Sequence, residues 1–283
     1  MSDLLTLKEI QQGSYEVLKA ISAICEQQGF EWFLTYGTLI GAVRHGGIIP
    51  WDDDIDIMMP RPDYEKLKAY FMENSEKLYP LKLFCKETEA DYPHLIMRIS
   101  DQRYHLIFDN EKDYGIGVFV DIYPVDGVGN NKKKAVRLTK KTKRLAALCF
   151  LTGRKKFGVD NTDSKLKMLI KYPAYLWANL MGNRHYIDKL NKLSRTYSYE
   201  GSKYVACAAW PVGKKYGRER DVFDKRLFRT KKMKFEDGKY PVPVGYDRFL
   251  TITYGDYMTP PSEEGKKTHH TYNGYRIGSG DAG

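Results

Sequence analysis

Residues 51–60 read WDDDIDIMMP, in which four aspartates within five positions run directly into an apolar stretch with the character of a buried strand. Carboxylates this close repel one another, and burying an uncompensated one costs several kcal/mol or forces its pKa upward. A fold that accepts the stretch must supply something cationic. In a strand, residues two apart share a face, so Asp54 and Asp56 project together while Ile55 and Ile57 enter the core behind them. Asp52 joins that face if the strand starts early; otherwise Asp52 and Asp53 belong to the preceding loop or support the other two.

A second apolar segment carries one embedded acid: in GVFVDIYPVDG, Asp121 lies between Val120 and Ile122. Two strands that each bury their neighbours and present an aspartate can pair those acids around one or two ions. Hard divalent cations take oxygen ligands, and Mg2+ is usually held by one or two carboxylates together with substrate phosphates. Asp54, Asp56 and Asp121 are therefore the expected metal ligands and catalytic residues, with Mg2+ or Mn2+ as cofactor. Clustered aspartates are most often a solvated loop, but a solvated loop has no need of Ile55, Ile57, Met58 and Met59, nor of the second strand. Asp121 is read as serving the site, and Val120 and Ile122 as serving the core.

Upstream, YGTLIGAVRHGG places Gly37 and Thr38 at a strand-to-helix turn, where a helix N-terminus and a hydroxyl can hold a phosphate. Arg44 and His45 follow as donors toward anionic oxygens. A Gly-Thr turn alone signals little. With paired acids sixteen residues later and Asp121 beyond them, the spacing is that of a nucleotidyltransferase.

The surrounding periodicity predicts a mixed α/β fold of helix-flanked sheet. Val17, Leu18, Ile21, Ile24 and Cys25 recur at helical spacing, so residues 6–28 form an amphipathic helix closed by Gly29. FEWFLTYG reads as a strand ending at Gly37, TLIGAVRHGG as a short helix, DIDIMM as a strand and PDYEKLKAYFMENS as a helix. Further strands are expected at 81–86, 95–99, 105–108 and 117–123. Residues 132–199 turn helical, DGKYPVPV reads as a turn and edge strand, and YDRFLTITYG as a late helix ending at Gly255. The chain is expected to be one domain over 1–283 with a helical, basic subdomain at 131–200.

The 46 basic and 36 acidic residues give a formal net charge of +10, which points to an anionic partner without choosing among nucleic acid, membrane and phosphorylated substrate. Cys25, Cys85, Cys149 and Cys207 are widely spaced, so neither a zinc site nor a disulfide framework is signalled, and a reduced, cytoplasmic setting fits. Neither a signal peptide nor a membrane span is legible.

Three blocks, FLTYGTLIGAVRHGGIIPWDDDIDIMMPRPDYEKL, GVFVDIYPVDGV and YGDYMTPPSEEGKKTHH, resemble the LicD family of phosphorylcholine transferases, whose relatives include fukutin and the fukutin-related protein. The resemblance runs in order from about residue 28 to 270. It implies a nucleotidyltransferase-type fold and transfer of a phospho-alcohol from a CDP-activated donor, CDP-choline in the first members, to a sugar hydroxyl of a surface glycan such as a lipopolysaccharide or teichoic acid precursor. Ribitol or glycerol phosphate is the alternative cargo. By position, Asp54, Asp56 and Asp121 match the metal-binding acids, and Gly37 and Thr38 the donor-side turn. Asp256, Tyr257, Lys266, Lys267, His269 and His270 fall in the C-terminal signature as substrate-site candidates. Two departures stand out: Ser262 and Gly265 interrupt the PPPEEKR-like run, and MRISDQRYH around Arg98 only loosely follows the family's basic strand.

The implied acceptor is a glycan carried on a lipid, met by a cytoplasmic enzyme at the inner face of the membrane. The proton of the sugar hydroxyl can be taken by an aspartate, by His269 or by His270. A choline cargo calls for an aromatic cage, for which Trp51, Tyr254, Tyr257 and Tyr272 lie beside the motifs. The lysines of NKKKAVRLTKKTKRLAALCFL can face an anionic membrane or simply water. A nucleic-acid nucleotidyltransferase would use the same acids, but no RNA-binding module is recognisable and no nucleic-acid partner is expected. A glycan-binding pseudoenzyme is expected to have lost an acid, and all three are present.

Overall fold

The computed structural model describes residues 4–152, 154–155, 157, 165–215, 218–266 and 272–277. The chain begins with α1 (Leu7–Gln28), β1 (Phe33–Leu34), α2 (Tyr36–Arg44), β2 (Asp56–Pro60) and α3 (Arg61–Glu73). Next come β3 (Leu81–Phe84), β4 (Met97–Asp101), β5 (Tyr104–Phe108), β6 (Val118–Gly127), α4 (Lys132–Thr152), α5 (Lys165–Met181) and α6 (Asn183–Ser194). The C-terminal part holds β7 (Tyr204–Ala206), β8 (Lys214–Lys215), β9 (Arg218–Glu219), β10 (Phe223–Asp224), β11 (Thr230–Phe235), β12 (Gly238–Pro243), α7 (Tyr246–Tyr254) and β13 (Tyr272–Arg276). The architecture is the mixed α/β arrangement the periodicity indicates.

Local chemistry explains where α1 starts and stops. The Thr6 side chain accepts from the Glu9 amide while Glu9 reaches back to the Thr6 amide, a reciprocal cap, and Gly29 ends the helix at φ 69°. Between them, Val17, Leu18, Ile21 and Cys25 form a buried stripe, and α1 lies across β4 and β6.

The central sheet runs β1-β2-β6-β4-β3. β2 and β6 are parallel and the other pairs antiparallel, while the far end of β6 pairs with β7, itself joined to β10. Every residue of β2 and β6 is buried, because both faces are covered. Ile55, Ile57, Val120, Ile122 and Ile99 enter the main core with the α1 stripe. A smaller cluster of Cys149, Ala178, Tyr186, Ile187 and Leu190 holds α4, α5 and α6 together.

Several strands are shorter than the sequence predicts; β3, expected over 81–86, ends at Phe84. β1 covers Phe33–Leu34 and stops before Gly37, because the chain turns at Tyr36, whose φ of 45° is left-handed, and enters α2 early. β2 begins at Asp56, not Asp54, although the Ile55 carbonyl still accepts the Asp121 amide at 2.9 Å. The three preceding aspartates do not alternate along a strand; they crowd together in the loop before it. DGKYPVPV forms the second strand of the β11–β12 hairpin, and α7 ends at Gly255, both where expected.

Candidate active site

Sheet register builds the centre. Asp56 on β2 pairs with Asp121 on β6, and Asp121 pairs with Arg98 on β4. Three adjacent strands thus present acid, acid and guanidinium in one row. Arg98 donates to Asp121 through Nε at 2.6 Å and Nη2 at 3.2 Å, and its guanidinium lies 4.3 Å from the Phe119 ring centroid. Both partners are buried, so the cation that clustered acids demand is here supplied by β4. Asp121 is therefore an ion-pair partner inside the sheet, a structural role its sequence pattern does not indicate.

Asp56 is treated differently. Its amide donates to the Thr38 hydroxyl at 2.8 Å, which ties α2 to the start of β2. Its carboxylate is buried, and the Oδ1 atom has no hydrogen-bond partner. Burial raises the pKa well above the ordinary carboxylate value; Asp54, Asp121 and Asp52 push it further, and a hydrogen bond from Tyr123 opposes the rise only in part. An acceptor oxygen left unsatisfied among like charges is what a bound cation would relieve.

Beside it, Asp52, Asp53 and Asp54 bring carboxylate oxygens within 4.8 Å of one another. The loop that carries them is fastened from two directions. Gln11 of α1 donates to the carbonyls of Ile49 and Asp52 at 3.2 and 2.7 Å, and the Tyr272 hydroxyl of β13 donates to the Asp53 carbonyl at 3.2 Å. Gly37 is needed at the head of α2: a Cβ there would stand 2.6 Å from Asp52 Oδ2. This donor set, all hard oxygen with one buried orphan, suits a divalent cation.

The other sequence-predicted residues divide into two groups. Arg44 and His45 sit on the Trp51 side of the acid loop. Arg44 donates to the Tyr257 carbonyl at 2.8 Å and to His45 Nε2 at 2.9 Å, while burial and Arg44 lower the His45 pKa. Lys266 reaches the same place, 5.1 Å from the Trp51 ring centroid. Asp256, by contrast, is exposed and caps Thr259, and the Tyr257 hydroxyl donates to Asp247 at 2.8 Å. Lys267, His269 and His270 lie outside the described residues.

The expected aromatic cage does not assemble from its four members. Trp51 is already faced by the Arg44 and Lys266 cations, and Tyr257 and Tyr272 are directed to Asp247 and Asp53. A different aromatic wall stands next to Asp56: Tyr36 and Tyr123 meet edge to face at 5.2 Å, and Tyr123 meets Trp210 at 6.5 Å. Tyr36 and Trp210 border a recess with Met58, Cys207, Arg220 and Asp221. Burial raises the pKa of Tyr254, and Asp56, Asp52 and Asp54 raise it further; burial with Asp53 and Asp54 does the same for Tyr272, so these two members of the expected cage lie in the field of the acids.

Sequence reasoning gave Arg98 too little weight. Its signal is a lone arginine in an otherwise uncharged run, LIMRIS, where burial requires an acid opposite. Tyr36, Tyr123 and Trp210 had no local signal, because aromatic residues in apolar segments mostly pack cores.

A parallel strand pair presenting aspartates beside a strand-to-helix turn defines a nucleotidyltransferase-type centre, and residues 29–146 match the family model described as LicD/FKTN/FKRP, nucleotidyltransferase domain. The chain is 31% identical over 274 residues, 96% of its length and 98% of the relative's, to the lipopolysaccharide cholinephosphotransferase LicD of Haemophilus influenzae. It is also 43% identical over 42 residues, 15% of its length and 8% of the relative's, to the human ribitol 5-phosphate transferase FKRP. A third similarity, 29% over 117 residues, 40% of this chain and 34% of the relative, is to the uncharacterized protein RT0683 of Rickettsia typhi. The chain belongs to the LicD family of phosphotransferases.

Proposed function

We propose that this enzyme transfers phosphocholine from CDP-choline to a sugar hydroxyl of a lipid-linked glycan precursor on the cytoplasmic side of the membrane. The observation that carries the reading is the buried Asp56 carboxylate, with one oxygen unsatisfied, next to the aromatic wall of Tyr36, Tyr123 and Trp210. Together these offer a place for a cation-bridged diphosphate and, beside it, aromatic faces for a quaternary ammonium. Full-length similarity to a lipopolysaccharide cholinephosphotransferase supports the same cargo. The short similarity to a ribitol 5-phosphate transferase keeps ribitol phosphate as the second reading.

Asp54, Asp56 and Asp121 would hold the divalent ion, with Asp52 alongside. Such an ion, when bound, neutralises charge on the diphosphate and on the departing CMP. The protein's own contribution is positioning. Thr38 fixes the start of β2, Arg98 holds Asp121 in one orientation, Tyr123 orients Asp56, and Gln11 and Tyr272 hold the acid loop against it. Gly37 and Thr38 would set the N-terminus of α2 on the donor side, and Arg44 and Lys266 would supply positive charge at the rim, with His45 neutral and accepting from Arg44. Asp256, Tyr257, Lys267, His269 and His270 remain acceptor-side candidates by family position.

The test is CMP release by the purified protein from CDP-choline, CDP-ribitol and CDP-glycerol, with a lipid-linked oligosaccharide acceptor and with or without Mg2+. CDP-choline is expected to be turned over fastest, and only with metal. Faster turnover of CDP-ribitol would move the assignment to the second reading, and full turnover in excess chelator would overturn the metal site.

A further inference from the structure

One side of α5 is apolar and open to solvent. Tyr172, Leu176, Trp177, Leu180 and Met181 are 47, 51, 62, 78 and 40% exposed. Their spacing spreads them over about half the circumference of the helix, whereas Ala178 on the opposite side is buried against α4 and α6. Elsewhere among the described residues large exposed apolar side chains are scattered, as is normal for a soluble surface. Here they form one ridge.

The adjoining helix determines what can cover it. α4 packs on α5, and Lys132, Lys133, Lys134, Arg137, Lys140, Lys141 and Arg144 are exposed along it. Neither helix contains an acidic residue; between positions 132 and 181 the sequence has Asp160 and Asp163 alone, in the connection between them. A second copy of the chain would bring the same positive charge against this one, so self-association through the ridge is opposed by repulsion. An anionic partner is favoured, and Trp and Tyr flanking Leu and Met, next to a bank of lysines, is the composition of a helix lying in a lipid headgroup region. Among the described residues no helix is long and apolar enough to cross a membrane, so the helix would lie in the surface without spanning it.

We propose that α5 is an interfacial anchor: its ridge from Tyr172 to Met181 enters the headgroup layer of an anionic bilayer while the basic face of α4 draws the protein to it. The attraction of α4 is salt-sensitive; the insertion of α5 is not. The proposal goes beyond the transfer reading and does not depend on it, since vesicle binding requires no donor or acceptor. Lys143 is excluded from the basic face because its ammonium donates to the Val212 carbonyl at 2.7 Å.

The experiment is co-sedimentation of the full-length protein with phosphatidylcholine vesicles, pure or with about one third phosphatidylglycerol, at low and high salt. Wild type should bind the anionic vesicles and release at least partly in high salt. Trp177→Glu with Leu180→Glu should weaken binding by about tenfold or more at either salt, and Lys132, Lys133, Lys134, Lys140 and Lys141 changed together to Gln by a similar factor at low salt only. The changed side chains are exposed, so melting temperatures should stay at the wild-type value, which separates lost binding from lost folding. A milder Trp177→Gln variant covers the case where the glutamates disturb α5. CMP release with a soluble acceptor should be unaffected in all of them. Equal binding by wild type and Trp177→Glu/Leu180→Glu, or none by either, would overturn the proposal. So would light scattering showing a dimer that Trp177→Glu converts to monomer, since the ridge would then be covered by a second copy.

Discussion

Replacing Arg98 by methionine should cost more stability than any other single change in the site. The guanidinium is buried and makes two charge-assisted hydrogen bonds to a buried carboxylate, at 2.6 and 3.2 Å. Methionine fills much of the volume but leaves Asp121 with no counter-charge, beside an already crowded Asp56. Removing one partner of a buried pair costs about 3–5 kcal/mol, most of it the penalty on the charge left behind. At about 2 °C per kcal/mol for a chain of this size, the melting temperature should fall by about 6–10 °C. Asp121→Asn also destabilises, by stranding the arginine, although the amide oxygen can still accept one bond. The double change Arg98→Met/Asp121→Asn buries no charge, and should be more stable than the two single losses predict by about 2 kcal/mol. Thermal melts of the four proteins in chelator form the cycle. Losses that add to within about 0.5 kcal/mol would refute the reasoning, because Arg98 and Asp121 would then contribute independently.

Asp56→Asn should show the opposite sign in chelator. A carboxyl whose pKa is raised by folding opposes folding once pH exceeds its unfolded value, so at neutral pH the amide should melt higher than wild type while transfer is abolished. Saturating Mg2+ or Mn2+, at about 100 times its dissociation constant, should stabilise wild type by about 2.7 kcal/mol and leave Asp54→Asn and Asp56→Asn unmoved; a shared metal shift would place the ion elsewhere. Burial, with Arg98 and Arg154 nearby, pushes the His94 pKa down to about 3, so its stabilising neutrality is fully present above about 6.5 and is lost as pH falls from there toward 3. Urea unfolding at pH 7 and 5 should therefore show a smaller acid loss in His94→Gln than in wild type, and equal losses would remove His94 from the acid limb. Val120→Asp or Ile122→Asp places an unpaired charge at a fully buried position of β6 and should abolish soluble folded protein, read by circular dichroism.

The main helices, the central strands and the run of acids are legible in the residue pattern alone. Two apolar runs that each hold an embedded aspartate read as strands able to bring those acids together, although alternation offers Asp54 as readily as Asp56 for the place opposite Asp121. Helical spacing of apolar residues located α1, and glycine closed it and α7. Tertiary structure decided how the charges are settled, because compensation is a long-range matter. Arg98 meets Asp121 from 23 residues away through an antiparallel register that no local pattern encodes. The strand limit differs for the same reason: Asp54 reads as strand by alternation, but Gln11 and Tyr272, from opposite ends of the chain, hold the loop in a path that gathers Asp52, Asp53 and Asp54. The aromatic wall was hidden in the same way, since an aromatic side chain in an apolar segment looks alike whether it packs a core or borders a site. Only the φ of 45° at Tyr36 and the approach of β6 and Trp210 set it beside the acids.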